Sequence, residues 1–383
     1  MNRPQGLMGQ LKRSGWLVGL AVAVVAVFLA PQLLDAFRLG LVAKYLCIAM
    51  VAVGIGLAWG QGGMLVLGQG LYFGLGGYMM AMHMKLDDAG PGGVPDFMNL
   101  YGNNVVPGWW EPFRSAGFTL VAIVLLPALF AGLLGYAVFT RRVRGAYFAI
   151  LSQALVAAFA TWVESQQKTT GGFNGMTNFK GWFGFALNDP VNKRMLYYIA
   201  AFVLIAMVLI VRWLMRSRFG ELLLAVRDQE NRVRFLGYDP AWSKVIAYVV
   251  AAVFAAIGGA LFVPIVGMIN PKNVGVTPSI LFLAGVVLGG RTTLLGPVLG
   301  TIAVRWAETG LSEAYPSLWQ YFQGALFVLV IAFLAQGAAS IGPGAKALWR
   351  RLRGSPGAAP PGATPPGGVP KAAETAPAEG AAS

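Results

Sequence analysis

Residues 216–244 read RSRFGELLLAVRDQENRVRFLGYDPAWSK, and this segment lies between two long apolar runs. Ionised side chains are concentrated here, although only 11% of the whole protein is charged and 57% is hydrophobic. Charge at this density is costly inside a lipid bilayer. The segment is therefore predicted to lie outside a membrane. It is too short for a domain of its own, and we interpret it as the place where a soluble partner docks.

The sequence on both sides of this segment predicts an all-α polytopic membrane protein. Apolar runs of about 20 residues recur, and each is long enough to cross a hydrocarbon core as a helix. Runs of this length do not fit the short alternating strands of a membrane barrel. We predict about ten transmembrane helices, within a range of eight to ten. The predicted spans are 16–34, 40–59, 64–84, 117–139, 145–163, 196–214, 243–264, 278–290, 294–309 and 319–338.

Two of these predictions leave an alternative open. The spans 278–290 and 294–309 are short and are joined by GGRTT at 289–293, so a single broken or re-entrant helix is the other interpretation. Residues 16–34 follow two basic residues and imitate a signal peptide. They are longer than a usual signal core and lack a clear cleavage site, so we interpret them as a retained first span.

The distribution of basic residues predicts the orientation. Lysines and arginines cluster at residues 3–13, 141–144, 212–244 and 346–353. The positive-inside rule places such clusters on the cytoplasmic side, and ten spans then put both termini there. The same rule accounts for the net charge of +14 without a nucleic-acid partner. Residues 216–244 are thus predicted to be cytoplasmic, and the long loops 85–116 and 164–195 to lie outside.

The chain is divided accordingly. We predict a cytoplasmic N-terminus at 1–15, a transmembrane permease domain at 16–340 and a tail at 341–383. The tail begins with basic residues and continues as a Pro/Ala/Gly-rich sequence. Such a composition cannot bury enough apolar surface to fold, so we expect it to be disordered.

The sequence argues against an enzyme. A single histidine, His83, excludes histidine clusters for metal binding or proton relay. The segment Gly342–Lys346 lacks the spacing and the Ser/Thr of a phosphate-binding loop. We therefore expect no catalytic residue, metal or cofactor in this chain, and any ATP hydrolysis to take place in a partner subunit. Few charges lie in the middle of spans, which counts against an ion-coupled transporter.

Glycine-rich spans offer a candidate solute path. Glycines at 68–77 allow helices to approach closely, and packing alone would explain them. The functional interpretation is that Gln69 and Tyr72 line a narrow polar path beside these glycines, with Ser152 and Gln153 as a second pair.

The charged segment itself has a helical pattern. Its apolar residues recur at near-helical spacing and are Leu222, Ala225, Val226, Val233 and Leu236. Gly220 precedes the pattern, while Gly237 and Pro240 follow it as a helix stop would. We hypothesise that this helix seats its apolar face in a groove of a cytosolic ATPase, with charged side chains on the rim. The predicted coupling residues are Glu221, Arg227, Glu230, Arg234 and Gly237.

Several stretches resemble one known family. They are GMLVLGQGLYFGLGGY at 63–78, RGAYFAIL at 144–151, TGGFNGMTNF at 170–179, the segment 220–237, and VLGGRTTLLGPVLG at 287–300. Together they resemble the permease subunits of the branched-chain amino acid and urea group of ABC importers. The resemblance extends over about residues 40–340.

The resemblance implies a multi-pass protein of the bacterial inner membrane. Its implied partners are a second, similar permease subunit, cytosolic ATPase subunits and a periplasmic substrate-binding protein, with membrane lipid around the helices. Glu230 and Gly237 resemble the acidic residue and the glycine of the family's coupling loop. Asn231 and Arg232, however, stand where alanines are common, and the later Ile-x-Leu-Pro is absent.

The resemblance also suggests a solute. The stretches LYFGLGGYMMAM and GGFNGMTNFKGWFGF are more similar to the urea-type permease than to the amino-acid type. The sequence therefore predicts import of urea or another small polar solute. Import of branched-chain amino acids is one alternative. A self-sufficient urea channel is another, although a channel would not need the amphipathic segment.

Overall fold

The computed structural model describes residues 25, 27–102, 104–143, 145–318 and 321–325. Helices account for most of this part of the chain, which confirms the predicted all-α membrane class. The helices are α1 Ala36–Ile55, α2 Gln69–Asp88, α3 Asp96–Tyr101, α4 Ala116–Thr140, α5 Ala146–Ser165, α6 Gln167–Thr170, α7 Pro190–Arg216, α8 Arg218–Phe235, α9 Pro240–Val266, α10 Pro271–Val274, α11 Val276–Gly289 and α12 Gly296–Ala314. A π-helix at Gly56–Gln61 continues α1, and 3-10 turns occupy Glu111–Arg114 and Gly172–Asn174.

Among the described residues, five helices are long and apolar enough to cross a membrane. They are Ala36–Gln61, Ala116–Thr140, Tyr147–Ser165, Pro190–Arg216 and Pro240–Val266. Each coincides with a predicted span. The count of ten spans and the side on which the termini lie remain predictions, because most of spans 16–34 and 319–338 falls outside the described residues. The segments 1–15 and 341–383 lie outside them entirely.

The predicted span 64–84 needs a correction, because α2 begins only at Gln69. Residues 63–68 are not helical. Gly63 has φ +71°, a left-handed conformation that ends the preceding π-helix. A Cβ on Gly68 would lie 2.8 Å from the side chain of Ser152, so the backbone of this segment passes directly against α5. The apolar composition of 64–68 therefore reflects burial without helix formation.

The region 278–309 forms two helices, and the choice between two short spans and one broken or re-entrant helix stays a prediction. α11 and α12 pack against each other through glycines, and residues 290–295 connect them. A Cβ on Gly289 would lie 1.8 Å from the Gly296 carbonyl oxygen, and one on Gly300 would lie 2.2 Å from the Gly285 carbonyl oxygen. Only glycine permits this contact between the two helices.

Helix α9 lies at the centre of the bundle. It packs against α1, α2 and α4 and is largely buried along its length. Small residues allow the backbones to approach: Gly54 of α1 meets Ala251, and Gly76 of α2 meets Ala256. A movement of α9 would therefore be passed to three neighbouring helices.

One end of the bundle carries the loops that the sequence places outside. Strand β1 (Met176–Thr177) pairs antiparallel with β4 (Met268–Ile269), and β2 (Gly181–Trp182) pairs with β3 (Phe185–Ala186). The carboxylate of Asp88 accepts hydrogen bonds from the backbone N–H groups of Lys180 (2.9 Å) and Gly181 (3.2 Å). We call this the outer end, and the end that carries α8 the inner end.

Candidate functional site

The predicted short helix in the charged segment is confirmed as α8, between the long helices α7 and α9. Its end has a Schellman geometry: the N–H of Gly237 donates to the Arg234 carbonyl, and that of Tyr238 donates to the Val233 carbonyl. Gly237 has φ +84°, which glycine adopts without strain. The Asp239 side chain then caps α9 by accepting from the N–H of Ala241 at 3.0 Å.

The apolar face of α8 differs from the predicted stripe. Leu223, Val226 and Val233 are buried against the rest of the chain, whereas Ala225 and Leu236 are exposed. The reason is a kink, since Gln229 has φ −149° and ψ 66° and interrupts the helix. A regular helical period does not continue across such a break. Val226 and Val233 of the predicted stripe are thus packed within the chain, and the docking of this helix in a groove of an ATPase stays a prediction.

A second apolar surface lies at the tip of the segment, and of its residues only Leu236 belongs to the predicted stripe. Phe235 is 90% exposed, Leu236 75% and Tyr238 59%. We call these three residues the apolar tip. Large apolar side chains this exposed beside charged residues are typical of a surface that a partner covers. The sequence signal for this surface is Gly237, because these three residues lie beside it. Consecutive side chains turn outward where a helix ends.

The charged coupling residues point mainly into the protein's own structure. Glu230 accepts hydrogen bonds from Arg234 and from Lys244, each at 2.8 Å, and is largely buried. Arg227 donates from Nη1 to the Gly60 carbonyl at 3.0 Å and from Nε to Asp228 at 2.8 Å. Of the four charged coupling residues, only Glu221 is both exposed and without a described side-chain hydrogen bond or ion pair. Glu230 and Arg227 therefore make contacts within the chain, and their position on the rim of a contact with an ATPase stays a prediction.

Three elements meet at Gly60, and we call this place the inner junction. Gly60 belongs to the π-helix that ends α1, and its carbonyl is the acceptor for Arg227 of α8. A Cβ on Gly60 would lie 1.9 Å from the Arg291 carbonyl oxygen in the α11–α12 connection. The neighbouring Gln61 donates from its amide to the Thr292 carbonyl at 3.2 Å. The inner junction therefore joins α8, α1 and the α11–α12 connection.

Helix α9 connects α8 to the interior of the bundle. Lys244, which binds Glu230, and Tyr248 are separated by four residues and so lie on the same face of α9. The Tyr248 hydroxyl accepts a hydrogen bond from the Tyr72 hydroxyl at 2.8 Å, and both tyrosines are buried. Glu230, Lys244, Tyr248 and Tyr72 thus form a series from the inner surface to α2, in which one turn of α9 joins Lys244 to Tyr248.

The other predicted path residues lie at the start of α2. Gln69 is 1% exposed, and among the described residues its amide oxygen and nitrogen find no hydrogen-bond partner. Gly68 packs against Ser152, whose hydroxyl donates to the Ala149 carbonyl of its own helix at 2.8 Å. Gln153 is only half-buried, and its Oε1 also lacks a partner in this part of the chain. The structure thus places Gly68, the residue before Gln69, against Ser152, while the Tyr72 hydroxyl binds that of Tyr248.

Helix α11 also begins beside Gln69. A Cβ on Gly70 would meet the Val274 and Gly275 carbonyl oxygens at 2.7 and 3.2 Å and the Ser279 hydroxyl at 2.3 Å. Since α2 crosses the central helix α9 at Gly76 and Ala256, the first turn of α2 lies deep in the bundle. Two helices therefore start next to each other in the interior.

The comparisons with known proteins match this architecture. A family model described as "Branched-chain amino acid transport system / permease component" matches residues 37–331. The chain belongs to this family. It is 25% identical over 350 residues to the high-affinity branched-chain amino acid transport system permease protein LivM of Escherichia coli, covering 85% of this chain and 75% of the relative. LivM of Salmonella typhimurium gives the same identity and coverage.

A relative that matches a shorter part of the chain is named for a different substrate. The galactose/methyl galactoside import permease protein MglC of Haemophilus influenzae is 28% identical over 147 residues, which is 36% of this chain and 43% of the relative. No solved structure matches the chain. The protein is accordingly a multi-pass inner-membrane permease subunit of an ABC importer and not an enzyme, and the family implies ATPase and substrate-binding partners. The prediction of urea as the solute is not confirmed by these relatives.

Proposed function

We propose that this permease subunit imports branched-chain amino acids or solutes close to them in size and polarity. ATP is used by a partner ATPase, and this chain holds no cofactor. The observation that carries the proposal is the series Glu230, Lys244, Tyr248 and Tyr72. It links the exposed inner segment to the start of α2 through contacts of 2.8 Å. A channel that works alone has no need for such a link.

In this mechanism the apolar tip is the surface that the ATPase covers. The ATPase displaces α8 when it closes on ATP, and Glu230 passes the displacement to Lys244 and so to α9. Arg227 passes it in parallel to Gly60 and the α11–α12 connection. Ion pairs that are partly shielded from water are strong enough to transmit such a displacement. Glu230, Arg227 and Arg234 thus act as internal struts, with Gly237 ending the helix that carries them.

The solute passes, in this proposal, where α2 and α11 begin. Interrupted helices in transporters are tolerated where they line a cavity, and their free N–H groups suit polar or anionic solute groups. The unpaired amide of Gln69 supports this assignment, because buried polar groups in proteins nearly always have a partner. Ser152 lies against Gly68, the residue before Gln69. Gln153 and Tyr72 complete the proposed path, Tyr72 as its link to α9.

Urea is the second candidate solute. The observation in its favour is the sequence at 71–82 and 171–185, which resembles urea-type permeases more closely than the amino-acid type. A small neutral diamide would also bind the amide of Gln69 and the hydroxyl of Ser152. In both cases the import system contains a second, similar permease subunit, the ATPase subunits and a periplasmic binding protein.

Reconstitution separates these possibilities. The permease is placed in proteoliposomes with its second permease and ATPase subunits, and uptake of labelled leucine and of urea is measured with the binding protein outside. We expect leucine uptake that requires both ATP and the binding protein. ATP-dependent urea uptake without leucine uptake would select the second candidate. Flux through this chain alone, without ATP or partners, would contradict both.

A further inference from the structure

The outer end contains a cavity that the proposed path does not use. Its volume is about 810 Å³, and it lies between the start of α1, the segment 178–180, the start of α7 and residues 264–267 at the end of α9. Three lysines line it, Lys44, Lys180 and Lys193, and none of its lining residues is acidic. Apolar side chains, among them Phe37 and Leu41, form part of the wall, together with the polar Asn178 and Asn188. A cavity of this size and composition is typical of a small-molecule site.

Lys44 is the unusual member of this group. It lies eight residues into the long apolar helix Ala36–Gln61, about 12 Å from the helix start at the rise of an α-helix. An ammonium group at such a position in a membrane helix is costly unless it has a partner or a function. Arg305 and Glu308 are near enough to act on its charge. Glu308, however, is bound to Arg305 at 2.7 Å, and the described part of the chain places no carboxylate within ion-pair distance of Lys44.

The other two lysines lie at the mouth of the cavity. Lys180 and Lys193 are exposed. The loop that carries Lys180 is fixed, because Asp88 binds its backbone N–H and Lys85 binds the Asn178 carbonyl at 3.3 Å. The cavity thus has two cationic groups at its entrance and a third one deeper inside. Such an arrangement raises the local concentration of anions.

We infer that this cavity is a subsite for the carboxylate of a zwitterionic solute on its way from the outer face. Lys44 binds the carboxylate, Lys180 and Lys193 attract it, and the apolar wall at Phe37 and Leu41 contacts an aliphatic side chain. The inference rests on the proposed function and narrows its substrate class to amino acids. Urea has no carboxylate, so the three lysines would not strengthen its binding.

Thiol labelling tests the subsite without relying on transport. Gly40 lies one turn before Lys44 and lines the same cavity, and a Cβ there would meet no atom within 4 Å. Gly40→Cys is therefore introduced together with Cys47→Ser, which removes the native thiol. The complete complex in phosphatidylcholine vesicles is labelled from outside with an anionic and a cationic methanethiosulfonate. We expect the anionic reagent to react about tenfold faster, and Lys44→Met to remove most of that preference.

Protection by added solutes tests the ligand class. We expect leucine to slow the labelling of Gly40→Cys, and leucinamide and urea to leave the rate unchanged. Lys44→Met should abolish the protection, and Lys44→Arg should retain it. Equal protection by leucine and leucinamide, or protection by neither, overturns the carboxylate subsite. Protection by phosphate but not leucine, or by phosphatidylglycerol in the vesicles, assigns the lysines to phosphate groups and also overturns it.

Uptake measurements distinguish this inference from the proposed function. If the wild-type complex takes up no leucine with ATP, the proposed function fails whatever the labelling shows. If the wild type takes up leucine and Lys44→Met takes it up equally well, only the subsite fails. We expect Lys44→Met to lower leucine uptake about tenfold, and Lys44→Arg to restore most of it, as the loss of one charge-assisted hydrogen bond implies.

Discussion

The outer and inner ends of this bundle are held together by different kinds of contact. At the outer end, several contacts use backbone groups: β1 pairs with β4, Asp88 binds two N–H groups, and Arg114 donates to the Gly90 and Gly93 carbonyls at 3.1 and 2.7 Å. At the inner end, single long side chains join the elements, as Glu230 joins Lys244 and Arg227 joins Gly60.

This difference has a mechanical consequence. Several backbone contacts that share one loop support each other, so the loss of one is compensated by the rest. A single side chain that joins two helices has no substitute, and a movement of either helix must pass through it. The outer end is therefore built to keep its shape, and the inner end is built to pass on a displacement. Mutations at the two ends should separate these properties.

The largest effect is expected from Glu230→Gln. The substitution removes the charge that holds both Arg234 and Lys244, and it leaves two cations facing a neutral amide in a partly shielded site. We expect ATP-driven solute uptake to fall at least about tenfold while the complex retains most of its ATP hydrolysis, since the ATPase itself is unchanged. Uptake and hydrolysis are measured in the same proteoliposomes.

Glu221→Gln is the matched control for this substitution. Glu221 lies on the same helix and carries the same charge, but it is exposed and makes no described ion pair. Its neutralisation should change uptake by less than about twofold, as expected for a surface charge. Equal losses of uptake in Glu230→Gln and Glu221→Gln would show that uptake depends on the charge of α8 and not on the ion pair between Glu230 and Lys244.

Much of the fold could be predicted because apolar length is a strong signal. The predicted bounds of α4, α5 and α9 differ from the observed ones by three residues or fewer. The start of α2 was placed five residues too early, since residues 64–68 are apolar but not helical. Their conformation is decided by the packing of Gly68 against Ser152, a contact between segments 84 residues apart that composition does not reveal.

The site was less predictable for a similar reason. The sequence correctly indicated a short helix at α8, because Gly220 and Gly237 bound a periodic segment. It could not indicate that Gln229 breaks the helix, nor that Glu230 turns toward Lys244, because both depend on how the chain returns after Gly237. Lys44 was missed altogether. One lysine in an apolar run looks unremarkable until its neighbours are known.

A smaller effect is expected from Tyr72→Phe, which removes the last hydrogen bond of the inner series. The hydroxyl of Tyr248 would lose its donor while the aromatic packing of the two rings remains. A neutral hydrogen bond contributes about 1 kcal/mol, so uptake should fall a few-fold. Tyr248→Phe should have a similar effect, and the double variant should be little worse than either single one.

If the double variant loses as much uptake as the two single variants combined, the two hydroxyls act separately. That result would contradict the proposed link from α9 to α2. Tyr147→Phe is the control, because Tyr147 is exposed on α5 and has no described hydrogen bond. It should leave uptake unchanged.

The smallest effect is expected at the outer end, from Asp88→Asn. The asparagine retains one acceptor oxygen where the carboxylate serves the N–H groups of both Lys180 and Gly181, and the pairing of β1 with β4 continues to hold the loop. We expect uptake within about twofold of wild type and faster amide hydrogen exchange confined to residues near 180. Asp87→Asn, the exposed neighbour, should change neither. A loss of uptake as large as that of Glu230→Gln would remove the distinction between the two ends, because the outer loops would then also depend on single contacts.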